Sequence, residues 1–328
     1  MKYLKCAFLL TLCLLLTGCK KQIKPTTLSA LKLNTYVSIT VYDEIDQSVL
    51  NDAINLCDHY DKIFSKTNKD SELYRLNNRE ITVVSDDLKN VINTGIEYGN
   101  LTQGSFDISI GAVNSLWDFS GNNNAVPSAS LIKEALLYVD YSKIQIEGNT
   151  VILPENMQLD LGAIAKGYIA DRIKEFLTQK GVKNAIINLG GNVLCMGEKS
   201  KDEAFVIGVQ KPFANTSEVA LTLEIKDKTV VSAGIYERCF FVDDNLYHHI
   251  INPSTGYSYN NDLVAVTIIC DKSETADALS TSCYSLGLNK GLELINSIDG
   301  CHAIFITKDY EIVFSKDFEN YFKFNFAK

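Results

Sequence analysis

A carboxylate and a hydroxyl stand one helical turn apart in the C-terminal third of the sequence. Asp277 and Thr281 lie in a segment that begins at Glu274 and opens a predicted helix, so their side chains share one face. Carboxylate and hydroxyl oxygens are hard ligands that suit Mg²⁺ better than Zn²⁺. Acidic residues in a first turn also favour a helix through its dipole, so this pair alone leaves both interpretations open.

Two adjacent histidines, His248 and His249, are candidates for proton transfer. Neighbouring residues of a strand point to opposite faces, so we expect one ring to reach a site and the other to be exposed. No third His or Cys stands at a spacing typical of zinc ligands. A general acid–base role therefore fits one of these histidines better than metal binding.

Two more segments combine charged and small residues. Asp160 precedes a Gly/Ala-rich turn and a helix start that carries Lys166. The backbone N–H groups of such a turn can bind phosphate, and the lysine can neutralise it. Asp107 follows Gly104 and begins an apparent strand, where its carboxylate could hold a ligand hydroxyl or amine. A plain turn followed by a strand explains Asp107 as well.

The elements around these residues predict an α+β fold rather than a doubly wound sheet, because strands and helices are mixed without βαβ alternation. Hydrophobic periodicity and turn residues predict strands over 36–42 and 263–270, helices over 47–64 and 163–180, and a hairpin over 144–153. Gly181 is expected to end the second helix. No long linker interrupts the sequence, so one compact domain is the simplest organisation.

The charge balance restricts the partners. The chain has 328 residues and a formal net charge of −9, without a basic stripe. This argues against nucleic acid as a partner. An acidic protein that binds an anionic nucleotide needs a local positive element, such as a metal ion or helix N-termini.

The N terminus predicts export and lipid attachment. A short positive start and the apolar run Cys6 to Leu16 precede Leu16-Thr17-Gly18-Cys19. This pattern is typical of a signal peptide, and it resembles a bacterial lipobox, which implies cleavage before Cys19 and lipidation of that thiol. We expect a signal peptide over 1–18, a lipid-anchored tether over 19–31, and a location on the extracytoplasmic side of the cell membrane. A plain signal peptide or a short anchor helix are the alternatives.

The remaining cysteines do not indicate a zinc site. Six lie beyond the lipobox without a C-x-x-C pair: Cys57, Cys195, Cys239, Cys270, Cys283 and Cys301. Most are expected to be buried thiols. A disulfide is possible outside the cytoplasm, but the sequence identifies none.

In their order along the chain, these segments resemble the bacterial FAD:protein FMN transferase family, also called the ApbE family. The resemblance runs from about Leu33 to Gly287. Its motifs are Leu33-Asn34-Thr35, Phe64-Ser65 with Asp70 to Asn77, Phe106-Asp107-Ile108 with Leu116-Trp117, Asp160 to Asp171, Asn188 to Asn192, Tyr236-Glu237-Arg238, His249 to Pro253 with Thr255-Gly256, and Ala276-Asp277-Ala278 with Thr281. It implies a single compact α+β domain over 32–328, built of mixed, mainly antiparallel sheets packed with helices.

The resemblance also implies roles for individual residues. Asp277 and Thr281 would bind Mg²⁺ together with the carbonyl of Ala163, with Ser280 beside them, and His249 would be the catalytic base. The positions that would line the FAD pocket are Leu33, Thr67, Ser105, Phe106, Asp107, Asp160, Lys166 and Ile251.

The implied reaction is Mg²⁺-dependent transfer of FMN from FAD to a Thr or Ser hydroxyl of an acceptor protein, with AMP leaving. A membrane redox subunit is the expected acceptor. Two alternatives stay open: an Mg²⁺-dependent FAD pyrophosphatase that yields FMN and AMP, and a flavin-binding surface lipoprotein without catalysis.

Two departures from the family pattern stand out. Leu33-Asn34 replaces the usual Met-Gly, and Leu33 can still pack against a ring. Thr67-Asn68 occupies a stretch that often carries an aromatic residue. The loss of a stacking partner costs on the order of 1 kcal/mol in nucleotide binding. It also leaves the pocket wetter, which favours water as a competing nucleophile.

Overall fold

The computed structural model describes residues 24–121, 124–215 and 217–327. The predicted signal peptide and Cys19 lie outside these ranges. The strands within them are β1 Thr26–Lys32, β2 Thr35–Val41, β3 Gln145–Glu147, β4 Thr150–Ile152, β5 Ala185–Leu189, β6 Asn192–Met196, β7 Phe205–Gln210, β8 Val219–Ile225, β9 Thr229–Gly234, β10 Cys239–Val242, β11 Asn245–His248, β12 Leu263–Cys270, β13 His302–Thr307, β14 Ile312–Phe314 and β15 Phe324–Phe326.

Four of the eight α-helices in the described ranges begin at an Asp or Ser side chain that caps the first turn. The eight are α1 Gln47–Phe64, α2 Glu72–Asn77, α3 Asp86–Leu101, α4 Gly111–Asn114, α5 Ala129–Leu136, α6 Ala165–Gln179, α7 Ser273–Asn296 and α8 Phe318–Tyr321, with a 3₁₀ turn at Tyr141–Lys143. The Asp46 side chain caps α1 by accepting from the N–H of Ser48 (2.8 Å). Gly181 follows α6 with φ +83°, a conformation that favours glycine. No helix among the described residues is long and apolar enough to cross a membrane.

An eight-stranded sheet forms the centre of the molecule, in the order β1-β2-β5-β6-β9-β12-β13-β14. Its neighbouring strands pair antiparallel throughout. A three-stranded sheet, β15-β8-β7, and the hairpins β3-β4 and β10-β11 complete the β-structure of the described ranges. The mainly antiparallel α+β fold is therefore confirmed.

Two apolar cores hold the helices on the sheets. One includes Leu50 of α1, Val91 of α3 and Ile169 of α6 together with residues of β2 and β5. The other includes Leu279 of α7 and Phe305 of β13 together with residues of β8 and β12. Helix α6 lies in the first core, whereas α7 contributes Ala278 to the first core and Leu279 to the second, so the contact between these helices joins the two halves of the fold.

The predicted helix over 47–64 and the predicted strand over 263–270 are confirmed. The predicted tether over 19–31 is too long at its C-terminal end, because Thr26–Lys32 is strand β1. Strand β1 pairs antiparallel with β2, from Thr26 opposite Val41 to Lys32 opposite Thr35, and its residues alternate between half-buried and exposed. The ordered domain thus begins earlier than the sequence indicated.

Candidate active site

The first turns of α6 and α7 meet at Gly167. A Cβ atom on Gly167 would lie 2.2 Å from the carbonyl oxygen of Ser273 and 2.7 Å from Cα of Glu274. Any larger residue would push the two helices apart, so glycine is what permits the approach. We call this contact the α6–α7 junction.

Two carboxylates tie the junction together in opposite directions. Asp277 of α7 accepts a hydrogen bond on Oδ2 from the N–H of Gly167 (2.9 Å). Asp171 of α6 accepts from the N–H groups of Ser273 and Glu274 (3.0 Å each). Each helix thereby satisfies N–H groups that the other leaves without an intrahelical partner. Asp171 was not among the predicted site residues. Its role becomes recognisable only when α6 and α7 are known to be neighbours, because its carboxylate then lies at the start of α7.

Asp277 is only 4% exposed, and burial raises the pKa of its carboxyl, against the opposing effects of Lys166 and the Gly167 N–H. Its Oδ1 accepts no hydrogen bond from another described residue. Thr281 lies one turn further along α7 and is half-buried. Asp277 thus combines a buried charge with a free oxygen, which is the arrangement a bound cation would complete.

The carbonyl of Ala163, in the turn before α6, is a second candidate oxygen. Ala163 is half-buried in the turn that leads into the helix. The N–H four residues after Ala163 is that of Gly167, and it donates to Asp277 instead of to the Ala163 carbonyl. Ser280 differs from the other predicted metal residues, because its hydroxyl donates to the carbonyl of Asp277 within α7 (2.8 Å).

Asp160 is held by three partners at the entrance to α6. Its carboxylate pairs with Nζ of Lys66 (2.5 Å) and accepts from Nδ2 of Asn114 (2.8 Å) and the N–H of Gly162 (3.0 Å). Burial opposes ionisation, but the Lys66 charge and these hydrogen bonds prevail and lower the pKa of Asp160 to about 2. Sequence reasoning missed Lys66, the neighbour of the predicted Thr67, because nothing in the sequence shows that 66 and 160 meet.

Lys166 connects these groups electrostatically. Its side chain is half-buried, with Nζ 3.5 Å from the carbonyl oxygen of Gly162. Its positive charge acts to lower the pKa values of Asp277, Glu237 and His249. An anionic ligand near these groups would meet Lys166 next to the first turn of α6.

One histidine ring was predicted to be exposed, but neither His248 nor His249 is. His248 is only 2% exposed, its Nε2 lies 2.9 Å from the carbonyl oxygen of Tyr259, and its Nδ1 accepts from the N–H of Ile250 (3.3 Å). Burial lowers the pKa of His248 to about 4. Both nitrogens of His248 are therefore committed to the fold.

His249 has the partners expected of a base. It is half-buried, and its Nδ1 lies 3.3 Å from the carbonyl oxygen of Arg238. A proton on Nδ1 donates to that carbonyl and leaves a lone pair on Nε2. Burial, then the charges of His248 and Arg238, lower the pKa of His249 to about 3. The imidazole is therefore neutral and able to accept a proton at pH 7.

The predicted strand at Phe106-Asp107-Ile108 is wrong, because Asp107 folds this segment into turns. Its Oδ1 accepts from the N–H (2.7 Å) and the hydroxyl (2.6 Å) of Ser109, and its Oδ2 accepts from the N–H of Tyr141 (3.2 Å). Only Ile110 joins a bridge, with Gln158. The Asp107 carboxylate, predicted to hold a ligand, is used here to hold the loop.

Three other predicted pocket residues are positioned by the same part of the fold. The Ser105 carbonyl accepts from the hydroxyl of Tyr259 (2.7 Å), which links the loop to the His248 segment. Phe106 is 4% exposed in the first core, and Ile251 is 7% exposed beside the aromatic cluster around Trp117. Phe106 and Ile251 can therefore offer a ligand mainly their backbone.

Leu33 and Thr67 lie at the protein surface, Leu33 half-buried and Thr67 exposed. Leu33 and Asn34, with φ 53° and 55°, form the tight turn between β1 and β2, and Leu33 packs partly on the first core. Thr67 is exposed, and its hydroxyl lies 3.4 Å from that of Ser65. No aromatic ring stands at 67–68 to cover a ligand there.

Comparisons with known proteins agree with this architecture. A model of the ApbE family matches residues 33–305. The FAD:protein FMN transferase of Klebsiella pneumoniae is 32% identical over 293 residues, covering 88% of this chain and 90% of that protein. The FAD:protein FMN transferase of Treponema pallidum is 30% identical over 318 residues, covering 90% and 88%.

Solved structures show the same fold. The flavin transferase ApbE from Vibrio cholerae has a TM-score of 0.81 at 26% identity, covering 90% of this chain and 99% of that one. The ApbE protein from Thermotoga maritima has a TM-score of 0.82 at 29% identity, covering 91% and 99%.

Proposed function

This chain belongs to the ApbE family and is an FAD:protein FMN transferase, and we propose that it performs the transfer at the α6–α7 junction, with Mg²⁺ and a Thr or Ser hydroxyl of the acceptor. The observation that carries this proposal is the carboxylate of Asp277. It is buried, one oxygen is fixed by Gly167, the other accepts no hydrogen bond from a described residue, and the positive charge of Lys166 acts on the carboxyl.

The oxygens at the junction fit Mg²⁺ better than a softer metal. No cluster of three or more His, Cys, Asp or Glu side chains suited to a metal occurs in the described ranges. Mg²⁺ usually takes one or two carboxylates and completes its shell with water and substrate phosphates. Asp277, Thr281 and the carbonyl of Ala163 would hold it, while Ser280 is committed to its own helix. When bound, Mg²⁺ would polarise the pyrophosphate of FAD and neutralise charge on the leaving AMP.

The side chains around the α6–α7 junction supply the remaining steps. Lys166 and the first turn of α6 bind the phosphates and bring the FMN-side phosphorus next to His249. Nε2 of His249 takes the proton of the acceptor hydroxyl, because its neutral ring has a free lone pair. The hydroxyl oxygen forms a bond to that phosphorus, and the bond from phosphorus to the AMP oxygen breaks. The product is a phosphoester-linked flavin on the acceptor.

A second activity is favoured by one observation. Thr67 is exposed and no aromatic ring stands at 67–68, so water has access to this side of the pocket. Water in place of the acceptor hydroxyl gives FMN and AMP. We therefore propose FAD hydrolysis as a side reaction whenever acceptor is absent.

Membrane attachment through a lipidated Cys19 is part of the same proposal. Strand β1 begins at Thr26, so only a short segment separates Cys19 from the sheet. A lipid anchor would hold the domain beside a membrane redox subunit and raise the local concentration of acceptor. Mass spectrometry of the membrane fraction should find an acylated N-terminal peptide that begins at Cys19. Cys19→Ser should move the protein to the soluble fraction, and an unmodified N terminus in the membrane fraction would contradict the anchor.

The transferase is tested with the full chain in detergent, FAD, Mg²⁺ and an acceptor protein that carries a candidate threonine. Flavin fluorescence on the denatured acceptor band and AMP release are read from the same tube. We expect one AMP per labelled acceptor, and loss of both signals with EDTA. Asp309→Asn, which changes an exposed carboxylate outside the α6–α7 junction, is the matched control and should keep full activity.

Three results would change the account. AMP release without label across several acceptors would make hydrolysis the main activity. FAD binding without AMP release would indicate a flavin carrier. Full labelling in EDTA would exclude the proposed role of Mg²⁺.

A further inference from the structure

Two cysteines lie at the same end of the β12–β13 pair. These strands run antiparallel, with Ile269 opposite His302. Continuing this register by one residue would place Cys270, the last residue of β12, opposite Cys301, which immediately precedes β13. Opposite residues of antiparallel strands have Cα atoms about 4.5–5.5 Å apart. That separation lies within the range of about 4.4–6.8 Å that a disulfide spans.

The surroundings of the pair favour exchange chemistry at Cys301. Cys270 is 2% exposed and Cys301 is 9% exposed. The Cys270 thiol donates to the carbonyl oxygen of Lys272 (3.1 Å), and its interaction with Cys301 raises the pKa of Cys270 and lowers that of Cys301. Burial and the charge of Asp271 oppose the Cys301 thiolate, whereas Lys228, ion-paired with Asp271 (2.6 Å), favours it. The thiolate is the form that attacks a disulfide.

The other described cysteines differ. Burial raises the pKa of Cys57 to about 11 and those of Cys195 and Cys283 to about 12, and it also raises the pKa of Cys239. These four remain protonated thiols at neutral pH. Within the described ranges, Cys301 is therefore the cysteine prepared for attack, and Cys270 is the one placed to resolve it.

We propose that Cys270 and Cys301 form a reversible disulfide by exchange with an external disulfide such as oxidised glutathione. The Cys301 thiolate attacks that disulfide, and one small thiol leaves. The Cys270 thiol then loses its proton to solvent and attacks the mixed disulfide, and the second small thiol leaves. Two protein thiols are oxidised and one external disulfide is reduced to two thiols.

The bond would enclose a functional element. The covalent loop from 270 to 301 contains all of α7, Ser273–Asn296, and therefore Asp277 and Thr281. Cross-linking the ends of a loop of this length stabilises the folded state mainly by restricting the unfolded chain. We expect the oxidised protein to melt about 5 °C higher than the reduced protein. This modification would occur whether or not the flavin chemistry proposed above is correct.

The test uses the full chain equilibrated with oxidised or reduced glutathione. Free thiols are then blocked with N-ethylmaleimide, and the protein is digested and mapped by mass spectrometry. We expect a peptide that links Cys270 to Cys301 after oxidation, unblocked at both positions. The upward shift in Tm should disappear with dithiothreitol. Cys195→Ala, which removes an isolated buried thiol, is the control and should retain the link and the shift.

The mapping needs no variant of the pair, so it remains informative if Cys270→Ala or Cys301→Ala folds poorly. All six thiols blocked after oxidation would overturn the proposal. A link between Cys301 and Cys283 would overturn it as well, since the register of β12 and β13 would then not select the pair. A Cys270–Cys301 link without a shift in Tm would overturn the stabilising role.

Discussion

The α6–α7 junction and the loop over 102–110 each hold one aspartate from the predicted site, buried in the first and half-buried in the second, but the protein uses the two carboxylates differently. Burial raises the pKa of both Asp277 and Asp107. Both oxygens of Asp107 accept hydrogen bonds from the loop and from Tyr141, whereas Asp277 binds only Gly167 and keeps one oxygen free. Burial and residue type therefore do not identify a ligand-binding carboxylate. A ligand-binding carboxylate is identified instead by how few hydrogen bonds it accepts from the rest of the protein.

Asp277→Asn should have the largest effect on activity. Asparagine keeps the oxygen that accepts from Gly167 but removes the charge that a cation requires. We expect kcat/KM for FMN transfer to fall about 1000-fold, equivalent to about 4 kcal/mol of transition-state stabilisation. Steady-state AMP release measures this. A Tm close to that of the wild type must accompany the loss, and a fall of less than tenfold would remove the distinction between the two carboxylates.

Gly167→Ala should give the largest loss of stability. The added methyl would lie 2.2 Å from the carbonyl oxygen of Ser273, so the two first turns must separate. Overpacking of this kind costs about 3 kcal/mol in the free energy of unfolding. Urea denaturation measures the change, with Gln179→Ala on the exposed end of α6 as the control. A neutral result would mean that the junction is less tightly packed than its geometry indicates.

The adjacent histidines extend the comparison between committed and free polar groups. His249→Gln removes the free Nε2 and should lower kcat about 100-fold with little change in KM for FAD. His248→Gln removes a ring whose two nitrogens are both bonded, so it should lower the Tm more than it lowers kcat. The measurement is kcat and Tm of both variants under identical conditions. An equal loss of kcat in both would contradict the assignment of His249 as the base.

The free energy of unfolding should depend on pH through the protonation of the buried His248. Its pKa is lowered to about 4 in the folded protein, so the unfolded chain binds more protons between that value and about 6.5. Stability must therefore rise with pH across this window and be lost as the pH falls. The raised pKa values of Asp107 and Asp277 act in the opposite direction. The informative quantity is thus the difference between wild type and His248→Gln, which should change by about 2 kcal/mol from pH 7 to pH 5.

Asp107→Asn should have the smallest effect on catalysis. The amide keeps one acceptor oxygen, but the bonds to the N–H and hydroxyl of Ser109 and to the N–H of Tyr141 cannot all be retained. We expect a loss of about 1 kcal/mol in stability and a change in kcat of less than about threefold. A loss of activity as large as that of Asp277→Asn, in protein that stays folded, would show that Asp107 binds the ligand after all.

The sequence predicted elements better than it predicted the use of individual side chains. The helix over 47–64 and the strand over 263–270 follow from apolar periodicity, which is local information. The strand at 106–108 was wrong because the hydrogen bonds of Asp107 to Ser109 and Tyr141 outweigh β-propensity. The ion pair of Lys66 with Asp160 joins residues far apart in the chain, and no local pattern reveals it. The same holds for the contact of Gly167 with Ser273.

The central claim is that the free oxygen of Asp277 is where a divalent cation binds together with FAD. The most direct measurement is a titration of Mn²⁺, as a paramagnetic substitute for Mg²⁺, into the full chain with FAD. Electron paramagnetic resonance reports the free ion, and wild type, Asp277→Asn and Asp107→Asn are compared. We expect Asp277→Asn to bind Mn²⁺ at least about tenfold more weakly than the wild type, and Asp107→Asn to bind it equally well. Equal binding by Asp277→Asn and wild type, or a selective loss in Asp107→Asn, would contradict the central claim.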